Sequence, residues 1–345
     1  MAKKNIGGQA VIEGVMLRDG TNGNVAVANR LQDGSIYVTK RSASSFTQRN
    51  KFFSMPIIRG VVSFVESLVV GTKTMMDSAE LIGGDDAEEY KPSKFEKFLS
   101  EKLKIKLEDI VIGVSVVLGV ALALLLFTFI PTFVTGLLRN IIGSNILLSL
   151  FEGLVKVIVF ILYIYIVSKQ KDIKRVYQYH GAEHKTINCY EADMKITVEN
   201  VRKCSRIHPR CGTSFMFFVM IVSILLFSFI TWDKLYVRII LKILLMPLVA
   251  GISYEIIRFS GKSNSRIVKA LVAPGLMLQN ITTAPPDDSQ IEVGIAALKA
   301  LIGDPDAVEV EEIEEREDTE GMCKCPEIDV KVNDDDCKGC DTEGN

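Results

Sequence analysis

The sequence predicts a mainly α membrane protein with about four transmembrane helices, a small N-terminal β-rich unit and a cytosolic helical insertion carrying histidine and cysteine. Three observations predict it. Four long apolar runs interrupt a 345-residue chain that is otherwise 24% charged. Short runs rich in valine and isoleucine fill the first 48 positions, and the only three histidines of the chain fall between positions 180 and 208.

The apolar runs are Ile110 to Val134, Ile146 to Val167, Ser214 to Trp232 and Val237 to Ile257. A helix needs roughly 20 residues to cross a hydrocarbon core about 30 Å thick, and each run has about that length. Orientation follows from the basic residues. The segment from Ser168 to Arg210 carries ten lysines and arginines, whereas the connection "GLLRNIIGSN" between the first two runs carries one. Four spans then place that segment and both termini on the cytosolic side of the cell membrane. The opening residues "MAKKNIGGQAVIEG" lack the apolar core of a cleavable signal. Cysteines on the cytosolic side are expected as reduced thiols, ligands or nucleophiles.

The formal net charge of −2 conceals two opposed parts. From Asp306 onward there are sixteen acids against four bases, a local balance of −12, and the preceding residues stand at +10. Juxtamembrane lysines and arginines gain roughly 1 kcal/mol each at an anionic leaflet. The positive charge follows the spans and no groove-reading motif is present, so the expected partner is the lipid bilayer and not nucleic acid.

The organisation reads in seven parts. Residues 1–48 form the β-rich unit, with hairpin-type turn signals at Asp19-Gly20 and Asp33-Gly34. Residues 55–106 hold an amphipathic helix, with Arg59, Glu66 and Lys73 on one polar face, and then a charged linker. Transmembrane helices 1 and 2 occupy 107–168, the His/Cys segment 169–212, and helices 3 and 4 213–258. Residues 259–303 read as amphipathic helices interrupted at Pro274-Gly275 and again at Pro285-Pro286. The acidic, cysteine-containing tail 304–345 is disordered on composition. The N-terminal unit and the tail are the expected surfaces for protein partners, and the sequence sets no oligomeric state.

The chemistry concentrates in "YHGAEHKTINCYE". His180 and His184 lie four apart, on one face of a helix, with Glu183 beside them. This is H-x-x-E-H, the pattern in which two imidazoles hold zinc and the glutamate activates water. Chance occurrence is the plain alternative, and Gly181 weakens a helix by about 1 kcal/mol. The nearby His208 and Cys211, in "HPRC", favour a divalent metal, zinc first. The remaining ligand is open between several residues. His208 would complete three histidines with a free coordination position, and Cys211 alongside all three would close the shell. Glu255 comes seventy-one residues after His184 but also fits a membrane-edge carboxylate paired with Arg258, and Glu191 is a further acid within reach. In the second span, Glu152 and Lys156 are spaced as an internal ion pair.

"GGQAVIEGVMLR", "YHGAEHKTINCYE", "HPRCGTSF", "GISYEIIRFS" and "TTAPPDDSQIEVGIAAL" together resemble the YqhQ family of bacterial membrane proteins, in order from about Gly7 to Leu301. The resemblance implies a multi-spanning membrane protein with a metal site, described as a predicted metal-dependent enzyme. It marks Gln9, Glu13, His180, Glu183, His184, Glu191, His208, Cys211, Glu255 and Gln279. The tail lies outside it. Cys323, Cys325, Cys337 and Cys340 there fit either one zinc site or unpaired thiols. Two functions are expected from these readings. One is a metal-dependent hydrolase at the cytosolic membrane face, acting on a peptide or lipid-linked substrate, with Glu183 as its base. The other is a noncatalytic scaffold or regulator whose metal is structural or sensed.

Overall fold

The computed structural model describes residues 6–42, 52–83, 107–228, 235–260 and 265–313. The linker after residue 83 and the tail cysteines therefore lie outside the described residues.

The N-terminal strands β1 (Ile6–Val11), β2 (Gly14–Asp19), β3 (Val25–Arg30) and β4 (Ile36–Arg41) form an antiparallel meander. The stretch "QAVIEGVMLR" spans the end of β1 and most of β2. It reverses at Ile12 and Glu13, where Glu13 takes a φ of 49°. A non-glycine residue in that region costs about 1–3 kcal/mol and persists only where its surroundings impose it. Here Asn29 donates to the Ile12 carbonyl at 2.9 Å and the Arg30 N–H donates to the Glu13 carbonyl at 2.8 Å.

A fifth strand, β5 (Val310–Ile313), pairs in parallel with Val38 to Arg41 of β4. This corrects both ends of the sequence reading. The β unit is not closed within residues 1–48, and ordered structure continues past 304. The signal is a short run of Val308, Val310 and Ile313 set among acids, which the charge count obscures. The Tyr37 hydroxyl donates to Glu311, anchoring the strand.

Helix α1 (Ile58–Gly83) turns Arg59 and Glu66 of its expected polar face toward the protein, whereas Lys73 is exposed. Glu66 is buried and paired with Arg18 of β2 at 2.8 Å, and Arg59 reaches Glu255. The apolar Val65, Leu68, Val69 and Met76 are exposed instead.

Next come α2 (Leu107–Leu124), a π-helical turn (Leu125–Phe129) and α3 (Ile130–Leu138), without a break. Helix α4 (Asn145–Val167) returns antiparallel to them. Val117–Leu138 and Ile146–Val167 are the two stretches, among the described residues, long and apolar enough to cross a membrane. Only 6% and 22% of their most apolar windows is buried, and this uncovered apolar surface suggests membrane association. Glu152 and Lys156 pair at 2.8 Å within α4. Helix α7 (Gly212–Ser228) is apolar but shorter, and α8 (Leu235–Ser260) packs against it.

Between α4 and α7 lie α5 (Lys171–Glu191) and the short α6 (Val198–Lys203). After α8, helix α9 (Arg266–Thr282) runs through Pro274 without interruption, so the first expected break is absent. The lost N–H costs less where a neighbouring helix packs closely, and Gly275 lies against Ser214 of α7. The second break is present at Pro285-Pro286, after which Asp287 caps α10 (Asp288–Ile302) in a capping box with Gln290. The main core joins one sheet face, through Ile6, Val15, Leu17 and Ala28, to Tyr179 of α5 and Leu298 of α10. The sheet thus supports α5, the helix that carries the histidines.

Candidate metal centre

Helix α5 presents Tyr179, Glu183 and Ile187 to the sheet and α10, and brings His180 and His184 against the start of α7 and the end of α9. Gly181 makes this possible. A Cβ there would lie 2.2 Å from the Ala284 carbonyl oxygen, so only glycine lets the segment after α9 pass so close. The Ala284 N–H donates to the Tyr177 carbonyl at 2.8 Å and fixes the contact. The residue that weakens the helix in the sequence is required by the packing.

The two imidazoles are oriented alike. His180 Nδ1 lies 2.9 Å from the Thr282 carbonyl oxygen and His184 Nδ1 lies 2.5 Å from the Arg206 carbonyl oxygen. A carbonyl only accepts, so each Nδ1 carries the proton and each Nε2 is left with a bare lone pair. This is the outer-shell arrangement that orients metal-binding histidines. Cys211 Sγ lies 3.3 Å from His180 Nε2. The sulfur also accepts from the Thr213 N–H at 3.4 Å, at the N-terminus of α7, where the helix dipole favours negative charge. Ligand atoms of His180, His184 and Cys211 all lie within 4.8 Å of one another.

Glu183 completes the group. It is 3% exposed, its Oε2 lies 3.7 Å from His180 Nε2 and 3.9 Å from His184 Nε2, and that oxygen has no hydrogen-bond partner. Burial pushes the carboxyl above its usual range, opposed in part by His180 and His208. Burial likewise holds His184 below its ordinary value, opposed in part by its interaction with Cys211. An unpaired buried carboxylate oxygen costs about 1–3 kcal/mol or more. In a tetrahedral zinc site with bonds of about 2.0–2.3 Å, ligand atoms sit about 3.3–3.8 Å apart. The two imidazole Nε2 atoms and the sulfur, all within 4.8 Å of one another, are donors of the type that suits a divalent cation such as zinc, and Glu183 Oε2 stands beside them outside that set.

The other sequence-derived residues separate by position. His208 stacks near His184, with ring centroids 5.8 Å apart, but its Nε2 turns to Glu191 at 3.4 Å. Glu191 in turn pairs with Arg210. Buried Gln279 clamps the His208 backbone, accepting from its N–H at 2.9 Å and donating to its carbonyl at 2.8 Å. Glu255 is not brought to the imidazoles; its carboxylate pairs with Arg59 of α1 and not with Arg258. Gln9 donates to the Gly71 carbonyl at 3.1 Å. Glu13 receives the Arg175 guanidinium and the Tyr179 hydroxyl, the latter at 3.1 Å, and ties the strained β1–β2 turn to α5. The backbone carbonyls of Thr282 and Arg206 and the Gly8 contact to Glu183 carry no side-chain signal and were not legible in the sequence.

Residues 55–304 match the family described as "Protein of unknown function (DUF1385)", and the chain belongs to that family. Over 297 residues it is 40% identical to a protein of Bacillus subtilis (strain 168) described as "Uncharacterized protein YqhQ", covering 86% of this chain and 92% of that protein. The YqhQ family resemblance is therefore shown. No solved structure matches the chain.

Proposed function

We propose that this chain is a multi-pass membrane protein with four spans, both termini cytosolic, and a zinc-type hydrolytic site at the cytosolic membrane face. His180, His184 and Cys211 are the metal ligands. Glu183 is the general base, taking up a proton at Oε2 from the attacking water. A divalent ion held there supplies Lewis acidity, which lowers the pKa of water toward about 7. The substrate is a peptide or a lipid-linked molecule reaching the site from the bilayer surface.

One observation carries the reading. Both imidazoles spend their Nδ1 protons on backbone carbonyls and turn their Nε2 lone pairs toward Cys211 and an unpaired carboxylate. A merely structural ion pair would have satisfied Glu183. Two apolar helices and the outward apolar face of α1 support the membrane setting. The test is metal content and complementation for His180→Ala, His184→Ala and Glu183→Gln. The histidine variants should lose metal, and Glu183→Gln should keep it and lose activity. Full complementation by metal-replete Glu183→Gln would sink the hydrolase reading.

A noncatalytic scaffold or regulator with a structural or sensing metal is the second reading. The near-complete burial of His184, at 1% exposed, favours it. In that case Glu183→Gln is close to silent, and the histidine changes act through stability.

A further inference from the structure

We propose that the open edge of β1 is the substrate-docking strand of this site and that its occupant is an extended polypeptide segment. The inference rests on the hydrolytic reading and narrows its substrate class from peptide or lipid-linked molecule to peptide.

Among the described residues β1 pairs with β2 alone, and β2 continues the sheet on the other side. Val11 faces Gly14 across the two-residue turn, so Val11, Gln9 and Gly7 hold the hydrogen-bonded positions of the ladder. The N–H and C=O of Gly8 and Ala10 then point away from β2. Natural sheets guard such edges with lysine, proline or bulges. Here the edge reads Ile6-Gly7-Gly8-Gln9-Ala10-Val11, with no charge and no proline; Gly7 and Gly8 are exposed while Ile6, Ala10 and Val11 are buried, so the accessible part of the edge is centred on Gly8.

Gly8 also borders the chemistry. Its missing Cβ would lie 2.8 Å from Glu183 Oε1, the carboxylate whose Oε2 is unpaired beside the two imidazoles. An added strand lies about 4.7–4.9 Å from its neighbour. A peptide paired to Gly8 therefore brings a backbone amide alongside Glu183, main-chain hydrogen bonds giving affinity as in strand addition. A lipid-linked substrate without a peptide backbone has nothing to pair with these groups. In the hydrolysis, water adds to the amide carbonyl carbon, the C–N bond breaks, and the proton taken by Glu183 passes to the leaving amine. The products are one carboxylate and one amine.

The experiment uses full-length Glu183→Gln protein in detergent, with its metal content measured on the same sample, so that binding is read without turnover. The probe is a threonine- and valine-rich octapeptide carrying a benzophenone, with an unmodified backbone or N-methylated at alternate positions in either register. Photo-cross-linking should fall on residues 7–10, and one methylated register should bind at least tenfold more weakly while the other is unchanged. Cross-links elsewhere, equal loss in both registers, or no capture by metal-replete protein would each overturn the docking proposal. Protein purified without metal fails the hydrolytic reading instead, and capture at β1 in that sample would still support the edge as a peptide site.

Discussion

Glu183 Oε2 lies 3.7 Å from His180 Nε2 with no hydrogen-bond partner of its own. A buried carboxylate left in this state destabilises the metal-free chain whenever it is ionised, and a bound cation relieves it.

Burial raises the Glu183 carboxyl above its ordinary value. A group whose folded pKa is raised contributes stability below its unfolded pKa and loses it as pH rises through the folded value. Metal-free Glu183→Gln protein should therefore melt a few degrees higher than metal-free parent protein at pH 7 to 8, with the gain shrinking toward pH 4. His180, His184 and His208 face the same carboxyl and are present in both proteins, so the difference between the two melting curves is the quantity to measure. A lower melting temperature for the variant at every pH would contradict this.

The second prediction concerns Gly181. The Ala284 carbonyl 2.2 Å from its virtual Cβ is backbone and cannot swing aside. Gly181→Ala should cost about 1–3 kcal/mol. It should also weaken metal binding about 10–100-fold by displacing the Thr282 carbonyl from His180. Gly7→Ala, which meets nothing within 4 Å, should be near-neutral in the same thermal and metal-binding measurements.

The third prediction separates strand from tail. Truncation after Glu314 should leave expression and melting unchanged, whereas truncation before Asp306 removes β5 and exposes the β4 edge. The shorter protein should be destabilised by about 1–2 kcal/mol in denaturant titration, judged by the half-buried Tyr37 and Val310 contacts it loses. Equal stability of the two truncations would remove β5 from the account.

Topology gives the fourth. In a cysteine-free chain, Asn145→Cys and Lys195→Cys should label from opposite sides of the membrane with an impermeant reagent. Labelling of Lys195→Cys from outside intact cells would overturn the orientation.

Some of this was legible from sequence because it is periodic. The i, i+4 spacing of His180 and His184 and the length of the Ile146 to Val167 run survive folding unchanged. Three things were not, each because it depends on distant partners. The spacing marks Arg59 and Glu66 of α1 as one polar face but cannot show that Glu255 and Arg18 stand opposite them. Pro274 reads as a break until α7 packs against the helix it interrupts. His208, Cys211, Glu191 and Glu255 are equivalent as ligand types. Distance separates them, through the Gln279 clamp on His208, the helix-capping position of Cys211 and the Arg59 partner of Glu255.

The most direct test of the central claim is the metal content and X-ray absorption spectrum of the chain truncated after Glu314, purified without added metal. The account predicts about one zinc-type ion per chain, with two nitrogen ligands and one sulfur ligand in its shell, lost in His180→Ala and in Cys211→Ser. A metal-free protein, or an ion retained in both variants, would contradict it.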